Sequence, residues 1–276
     1  MKQLALDYLR EMTGNVNANF HSDQWESIEE LVIQKDKVLV VQKTGWGKSA
    51  VYFISTKILR SQGAGLSIII SPLISLMRNQ IESAARLGLN VITINSSLSQ
   101  TERTANESQI LIGQVDAVII SPEQLANDTF VENVLQHVLS QVGLFVVDEA
   151  HCISDWGHDF RPDYRRIVRI LQFMPSNIPV LATTATANNR VVDDIKQQLG
   201  DQLKIRRGSL LRESLQLQNI VLPNKTERLT WLTQALLMIE GTGIIYAKTT
   251  KDCDTVAQWL SGYKQKELMR EPIMAV

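Results

Sequence analysis

Short apolar runs rich in β-branched residues recur along the chain at Val38–Val41, Ser67–Ser71, Val91–Asn95, Ala117–Ser121, Leu144–Asp148 and Val180–Thr184. Between them lie stretches with helical spacing of apolar residues, at Ala50–Arg60, Leu73–Leu87, Val131–Ser140 and Asn188–Leu199. A short continuous apolar run suits a strand buried on both faces, and the intervening periodicity suits amphipathic helices. Their alternation predicts parallel β-α-β units: an α/β fold with a mostly parallel sheet flanked by helices. In such sheets ligands gather at the carboxyl ends of the strands. The residues with chemical promise stand there: Gln42–Ser49 after the first run, Asp148 after the fifth and Thr184–Thr186 after the sixth.

The pattern changes after Arg207. Residues 1–207 read as one domain, and Gly208–Pro223 reads as a linker in which the alternation of LQLQNIV predicts an extended strand. Residues 224–276 read as the start of a second unit, with a helix over Thr226–Ile239, a strand over Gly243–Ala247 and a helix over Thr250–Leu260. Two helices and one strand cannot enclose a core, because a lone parallel strand has no neighbour for its backbone groups. Apolar faces around Trp231–Ile239 and Ile244–Tyr246 are therefore expected to lie exposed. No internal repeat interrupts this organisation.

Composition narrows the classes. The 276 residues are 44% hydrophobic and 21% charged, with a net charge of −1. Near neutrality argues against a histone-like electrostatic binder, but leaves room for a local groove that binds single strands by stacking. No apolar stretch approaches the ~20 residues that a membrane helix needs. The opening MKQLALDYLREMTG carries acids and no small-residue cleavage site, so it does not read as a secretory signal. A cytoplasmic location is expected, associated with the nucleoid in a bacterium. Cys152 and Cys253 are too few and too far apart for a zinc site.

Lys43–Ser49 reads KTGWGKS, between an apolar run and a helical stretch. Glycines at 45 and 47 let the backbone turn so that N–H groups of Thr44, Gly45, Trp46, Gly47, Lys48 and Ser49 face phosphate oxygens, with the helix N-terminus behind them. Lys48 would reach the outer phosphates and the Ser49 hydroxyl would ligate Mg²⁺. The strict phosphate-loop pattern begins with glycine, where this chain has Gln42. A glycine-rich turn with a solvated lysine is the bland alternative. Trp46 either shields a nucleotide or packs on a neighbouring loop.

Asp148 and Glu149 end the fifth run and project differently, so they can divide the work. Asp148 would hold the metal, Glu149 would orient and deprotonate an attacking water, and His151 would carry hydrogen bonds toward a neighbouring motif. The following stretch holds Trp156, His158, Phe160, Arg161 and Tyr164. Aromatic residues usually bury, but the interleaved Asp155, Asp159 and Arg161 suit a dry core poorly. Contact with nucleic acid is the favoured reading, at ~1–3 kcal/mol per stacked base.

Five blocks, in order, resemble the motifs of RecQ-family superfamily 2 DNA helicases: QKTGWGKS, SPLISLMRNQ (Ser71–Gln80), IISPEQL (Ile119–Leu125), DEAHCISDWGHDFRPDY and TTATA (Thr183–Ala187). The similarity extends over residues 17–263, and the aromatic loop of the fourth block is its most specific part. The resemblance implies a RecA-like P-loop NTPase domain, followed by an incomplete second RecA-like lobe opening with GIIYAKTTKDCDTVAQWL. It implies ATP and Mg²⁺ as cofactors and 3′→5′ translocation on single-stranded DNA, acting at duplex junctions. By the same resemblance Gln24 reads the adenine edge within Phe20-His21-Ser22-Asp23-Gln24, where His21 replaces the family's stacking arginine. Pro72, Ser75, Ser121 and Pro122 contact the single-strand backbone, and Thr184 and Thr186 couple the two sites.

The strings that carry the family's later motifs and arginine finger are not found, and KQKELMREPIMAV resembles nothing in the family. A monomeric ATPase lobe that does not unwind DNA alone is therefore expected. The alternatives are an ATP- and DNA-binding module without motor activity, a truncated nonfunctional fragment or, less favoured, an RNA helicase.

Overall fold

The computed structural model describes residues 1–154, 161–200, 202–210 and 216–264, with side chains as far as Gly262. The chain forms two units, Met1–Arg212 and Glu213–Val276.

In the first unit, seven strands form one parallel sheet: β1 (Lys37–Val41), β2 (Ser67–Ile70), β3 (Val91–Ile94), β4 (Ala117–Ile120), β5 (Leu144–Val147), β6 (Val180–Thr184) and β7 (Lys204–Arg207). Their spatial order is β3-β4-β2-β5-β6-β1-β7. Side-chain alternation divides the apolar strands between two cores. Leu39, Val41, Ile68, Ile70, Phe145 and Val147 pack toward the helical segments Gln100–Leu111, Arg166–Gln172 and Asn189–Leu199. Val38, Val40, Ile69, Leu144 and Val146 pack toward Lys2–Thr13, Lys48–Ser61 and Ile74–Arg86. Burial of both faces explains why these strands read as continuous apolar runs. Each fully buried Val, Leu or Ile contributes roughly 1.5–3 kcal/mol, so the central strands hold the frame that positions the site.

Several elements depart from the expected pattern. β7 is a strand although its sequence is Lys-Ile-Arg-Arg, because β1 offers it a free edge and acidic residues meet its side chains. Arg206 makes a bidentate pair with the buried Glu30, at 2.6 and 3.2 Å. Lys204 reaches Asp36 at 2.6 Å. Glu30 opens the π-wound segment Glu30–Gln34, which continues the helix Gln24–Glu29. Val131–Ser140 is helical, but its winding changes from π at Val131–Leu135 to α at Gln136–Val138 and then 3₁₀ at Leu139–Gln141.

In the second unit, helices Lys225–Met238 and Thr250–Lys264 occupy the two expected regions. Trp259 Nε1 donates to Thr233 Oγ1 at 3.0 Å between them. The strand expected at Gly243–Ala247 is not formed, nor does Gln216–Leu222 pair as a strand. Among the described residues neither has a neighbouring strand to complete its backbone bonds, and Ile244 and Tyr246 are 77% and 89% exposed. Among the described residues no helix is long and apolar enough to cross a membrane.

Candidate active site

The turn from β1 into helix Lys48–Ser61 needs two residues in the left-handed region: Gly45 at φ 85° and Gly47 at φ 92°. A Cβ on Gly47 would also stand 2.6 Å from Nε2 of Gln24. That amide braces the loop. Gln24 is buried; its Oε1 accepts from the His21 backbone N–H at 2.8 Å, and Nε2 donates to the Trp46 carbonyl at 2.7 Å. To read a base edge, Gln24 would have to give up one of these bonds. Trp46 is buried in the core formed with the N-terminal helices, so packing is the role seen for it. Phe20 tilts against Trp25 with ring centroids 6.2 Å apart, while His21 and Thr44 are exposed and Ser49 is half-buried.

Lys48 opens its helix, and its Nζ reaches back to the Gln42 carbonyl at 3.4 Å. Burial lowers its pKa from the ordinary lysine value, and the charges of Glu149 and Asp148 oppose that shift.

Asp148 follows β5, whose neighbours are β2 and β6. That register brings Ser71, just beyond β2, and Thr183, in β6, to either side of its carboxylate. Thr183 donates to Oδ1 at 2.6 Å and Ser71 to Oδ2 at 3.3 Å. Burial pushes the Asp148 carboxyl above its ordinary range, opposed by the Thr183 hydrogen bond and by Lys48. Glu149 adopts φ 49°, a conformation that costs a non-glycine residue on the order of 1 kcal/mol. Burial pushes Glu149 upward, but His151 and Lys48 outweigh it and hold the group below its ordinary value. His151 Nδ1 lies 3.2 Å from Glu149 and 3.0 Å from Thr184 Oγ1. Thr184 Oγ1 in turn donates to the Thr186 carbonyl at 3.0 Å. Lys48, Asp148, Glu149, His151, Thr184 and Thr186 therefore form one connected cluster.

The residues expected at the single strand group less tightly. Ser71 and Ser121 follow the neighbouring strands β2 and β4, so Pro72 and Pro122 come after adjacent strand ends. Pro122 opens a 3₁₀ turn, Ser121 Oγ bonds Glu123, and Ser75 is exposed in the first turn of its helix. Arg161 Nη1 reaches the Pro72 carbonyl at 3.5 Å. Trp156, His158 and Phe160 lie outside the described residues. Tyr164, grouped with them in the sequence, is buried in the core, and its hydroxyl donates to the Asp148 carbonyl at 2.9 Å.

A cavity of about 480 Å³ adjoins the loop, lined by Lys43, Thr44, Ala185–Asn188, Arg207 and Leu210. It lies at the rim of the cluster, without Lys48 or the carboxylates in its wall. The donor set suits a small hard cation. Ser49 and Asp148 offer oxygen only, and burial leaves the Asp148 carboxylate in need of positive charge. Among the described residues no three acidic, His or Cys side chains converge as a cage. Oxygen donors of this kind are those a hard divalent cation accepts.

Sequence reasoning gave no role to Ser71 or Thr183. Both were legible in principle, as hydroxyl residues at the ends of apolar runs, but only the strand order places them around Asp148.

The pattern of the DEAD/DEAH box helicase family matches residues 21–195. Among curated relatives, the chain is similar to ATP-dependent DNA helicase RecQ of Pasteurella multocida, 33% identical across 94% of this chain and 39% of that protein. It is 34% identical to RecQ of Bacillus subtilis, across 87% of this chain and 39% of the relative. The chain thus spans about two fifths of the length of these relatives. Among solved structures, the DUF1998 helicase MrfA is similar with a TM-score of 0.70 at 16% identity, over 97% of this chain and 42% of that one. At that identity the likeness establishes the fold alone.

Proposed function

The chain belongs to the DEAD/DEAH box helicase family and corresponds to the N-terminal lobe of its RecQ-type members, and from that premise we propose that it is the ATP-binding lobe of a 3′→5′ DNA helicase. The observation that carries this reading is the cluster of Lys48, after β1, with Asp148, Glu149 and His151, after β5, on either side of β6, joined through Thr184 to Thr186.

Each residue has a task its geometry supports. The backbone N–H groups from Thr44 to Ser49, with Lys48, grip the triphosphate of ATP. Ser49 and Asp148 would hold Mg²⁺, with Ser71 and Thr183 fixing the carboxylate. A divalent ion there neutralises charge on the phosphate oxygens. Glu149, kept ionised by its neighbours, orients the attacking water and takes its proton. His151 passes the resulting change to Thr184 and Thr186. Phe20, His21 and Gln24 flank the base.

Pro72, Ser121 and Pro122 follow the ends of β2 and β4, and Ser75 stands in the first turn of the next helix; with Arg161 they would meet the backbone of single-stranded DNA, and Trp156, His158 and Phe160 would stack on its bases. We place the protein in the cytoplasm, at the nucleoid if its source is a bacterium, acting as a monomer. Lys48→Ala is expected to lower ATP hydrolysis by about 10²–10³-fold. Trp156→Ala is expected to remove its stimulation by single-stranded DNA. A Lys48→Ala protein that keeps DNA-stimulated hydrolysis ends the assignment, and stimulation by RNA in place of DNA redirects it.

A further inference from the structure

Three consecutive residues at the end of β7 each touch a different part of the nucleotide cradle. Arg206 pairs with Glu30 and lies 3.5 Å from Asp23, the residue before Gln24. Arg207 donates to the Ala187 carbonyl and to Asn189 Oδ1, both at 2.8 Å, just past Thr186. Gly208 donates its N–H to the Val41 carbonyl at 3.1 Å and lies against the side chain of Gln42. A Cβ on Gly208 would come within 2.5 Å of Gln42 Nε2 and 2.7 Å of its Cδ.

Gln42 is held on every side. It is 4% exposed. Its N–H donates to the Thr184 carbonyl at 3.1 Å, and its own carbonyl accepts from Lys48 Nζ at 3.4 Å. This is the position where the strict phosphate-loop pattern has glycine, a residue that could not fill the space facing Gly208. The backbone bonds tie Gln42 to Lys48 and Thr184. Its side chain ties it to the outgoing chain.

We propose that Gln42 is a positioning residue for Lys48, and that glycine at 208 is required because it admits the Gln42 side chain, linking the phosphate loop to the chain that leaves β7. Turning the Gln42 backbone swings the carbonyl that Lys48 rests on. A displacement at Gly208 therefore reaches the lysine through one residue. The proposal rests on the nucleotide reading above.

A double-mutant cycle on the 276-residue chain tests it, read as the dissociation constant of a fluorescent ATP analogue with Mg²⁺. Gly208→Ala and Gln42→Ala are each expected to weaken binding by about fivefold, with the double variant no weaker than Gln42→Ala because the new methyl enters vacated space. Gln42→Met keeps the volume and is expected to stay within about twofold of the parent chain. Losses that multiply in the double variant, unchanged binding in both single variants, or a Met variant as weak as the Ala variant overturn the proposal. If Gly208→Ala does not fold, recovery of soluble, binding-competent protein in the double variant supports the same contact, and its continued failure refutes it. Absence of nucleotide binding by the parent chain removes the nucleotide reading itself, and the proposal with it.

Discussion

Lys204–Arg207 and Gly243–Ala247 are short segments of opposite character and opposite outcome. The first is Lys-Ile-Arg-Arg and is a strand, while the second carries Ile244, Ile245 and Tyr246 in succession and is not. Intrinsic preference favours the second, since β-branched and aromatic residues are enriched in strands. The difference lies in what stands beside each. Lys204–Arg207 registers on Val38–Val41 of β1, and Glu30 and Asp36 receive its basic side chains. Ile244–Tyr246 meets no such edge among the described residues. A strand is a property of a pair, and composition reports only one member.

The sharpest break in this comparison comes from the shared neighbour. Leu39 is fully buried in β1, between Ala182 of β6 and Ile205 of β7. Leu39→Asp places an unpaired carboxylate in a dry core, at a cost of several kcal/mol against a typical total of ~5–15 kcal/mol. Loss of the cooperative thermal transition of the first unit is expected, with β7 lost along with β1. Ile244→Asp, a similar change in the unpaired segment, is expected to leave the melting curve in place. Equal damage from both substitutions would mean that residues 243–247 are packed in solution.

A smaller effect separates the two supports of β7. Arg206→Ala leaves the backbone ladder intact but takes the bidentate partner from Glu30, which is 4% exposed. Lys204 stays 3.7 Å from that carboxylate and limits the damage. A loss of about 1–3 kcal/mol is expected from urea unfolding, with the slope unchanged. An unmoved midpoint would show that backbone pairing alone holds the edge strand.

The same distinction explains how much was legible beforehand. The six apolar strands could be read because burial on both faces writes itself into every position, and the Lys43–Ser49 loop because its glycines answer to backbone geometry. The Lys2–Thr13 helix went unnoticed although Ala5, Leu9 and Met12 mark one buried face. β7 could not be read, since the acidic residues that stabilise it lie about 170 positions earlier in the chain. At the site, the identities of Lys48, Asp148 and Glu149 were visible in sequence. Their wiring was not: Ser71 and Thr183 become partners of Asp148 only through the order β2-β5-β6. Tyr164 shows the converse. Its neighbours in sequence suggested a nucleic-acid face, whereas its hydroxyl supports the Asp148 backbone from within the core.

The smallest expected effect tests the unpaired segment directly. Ile244 and Tyr246 are 77% and 89% exposed, so little apolar area leaves water there. Replacing both with serine removes attractive surface without opening a cavity, and the change in unfolding free energy is expected to stay within about 0.5 kcal/mol. Solubility should respond more than stability, because contiguous exposed apolar residues promote association between chains. Sedimentation at increasing concentration reads that difference: fewer large species for the Ile244→Ser/Tyr246→Ser protein at an unchanged melting temperature. If the double substitution instead lowers the melting temperature, the segment has an intramolecular partner in solution, and its contrast with β7 becomes one of degree.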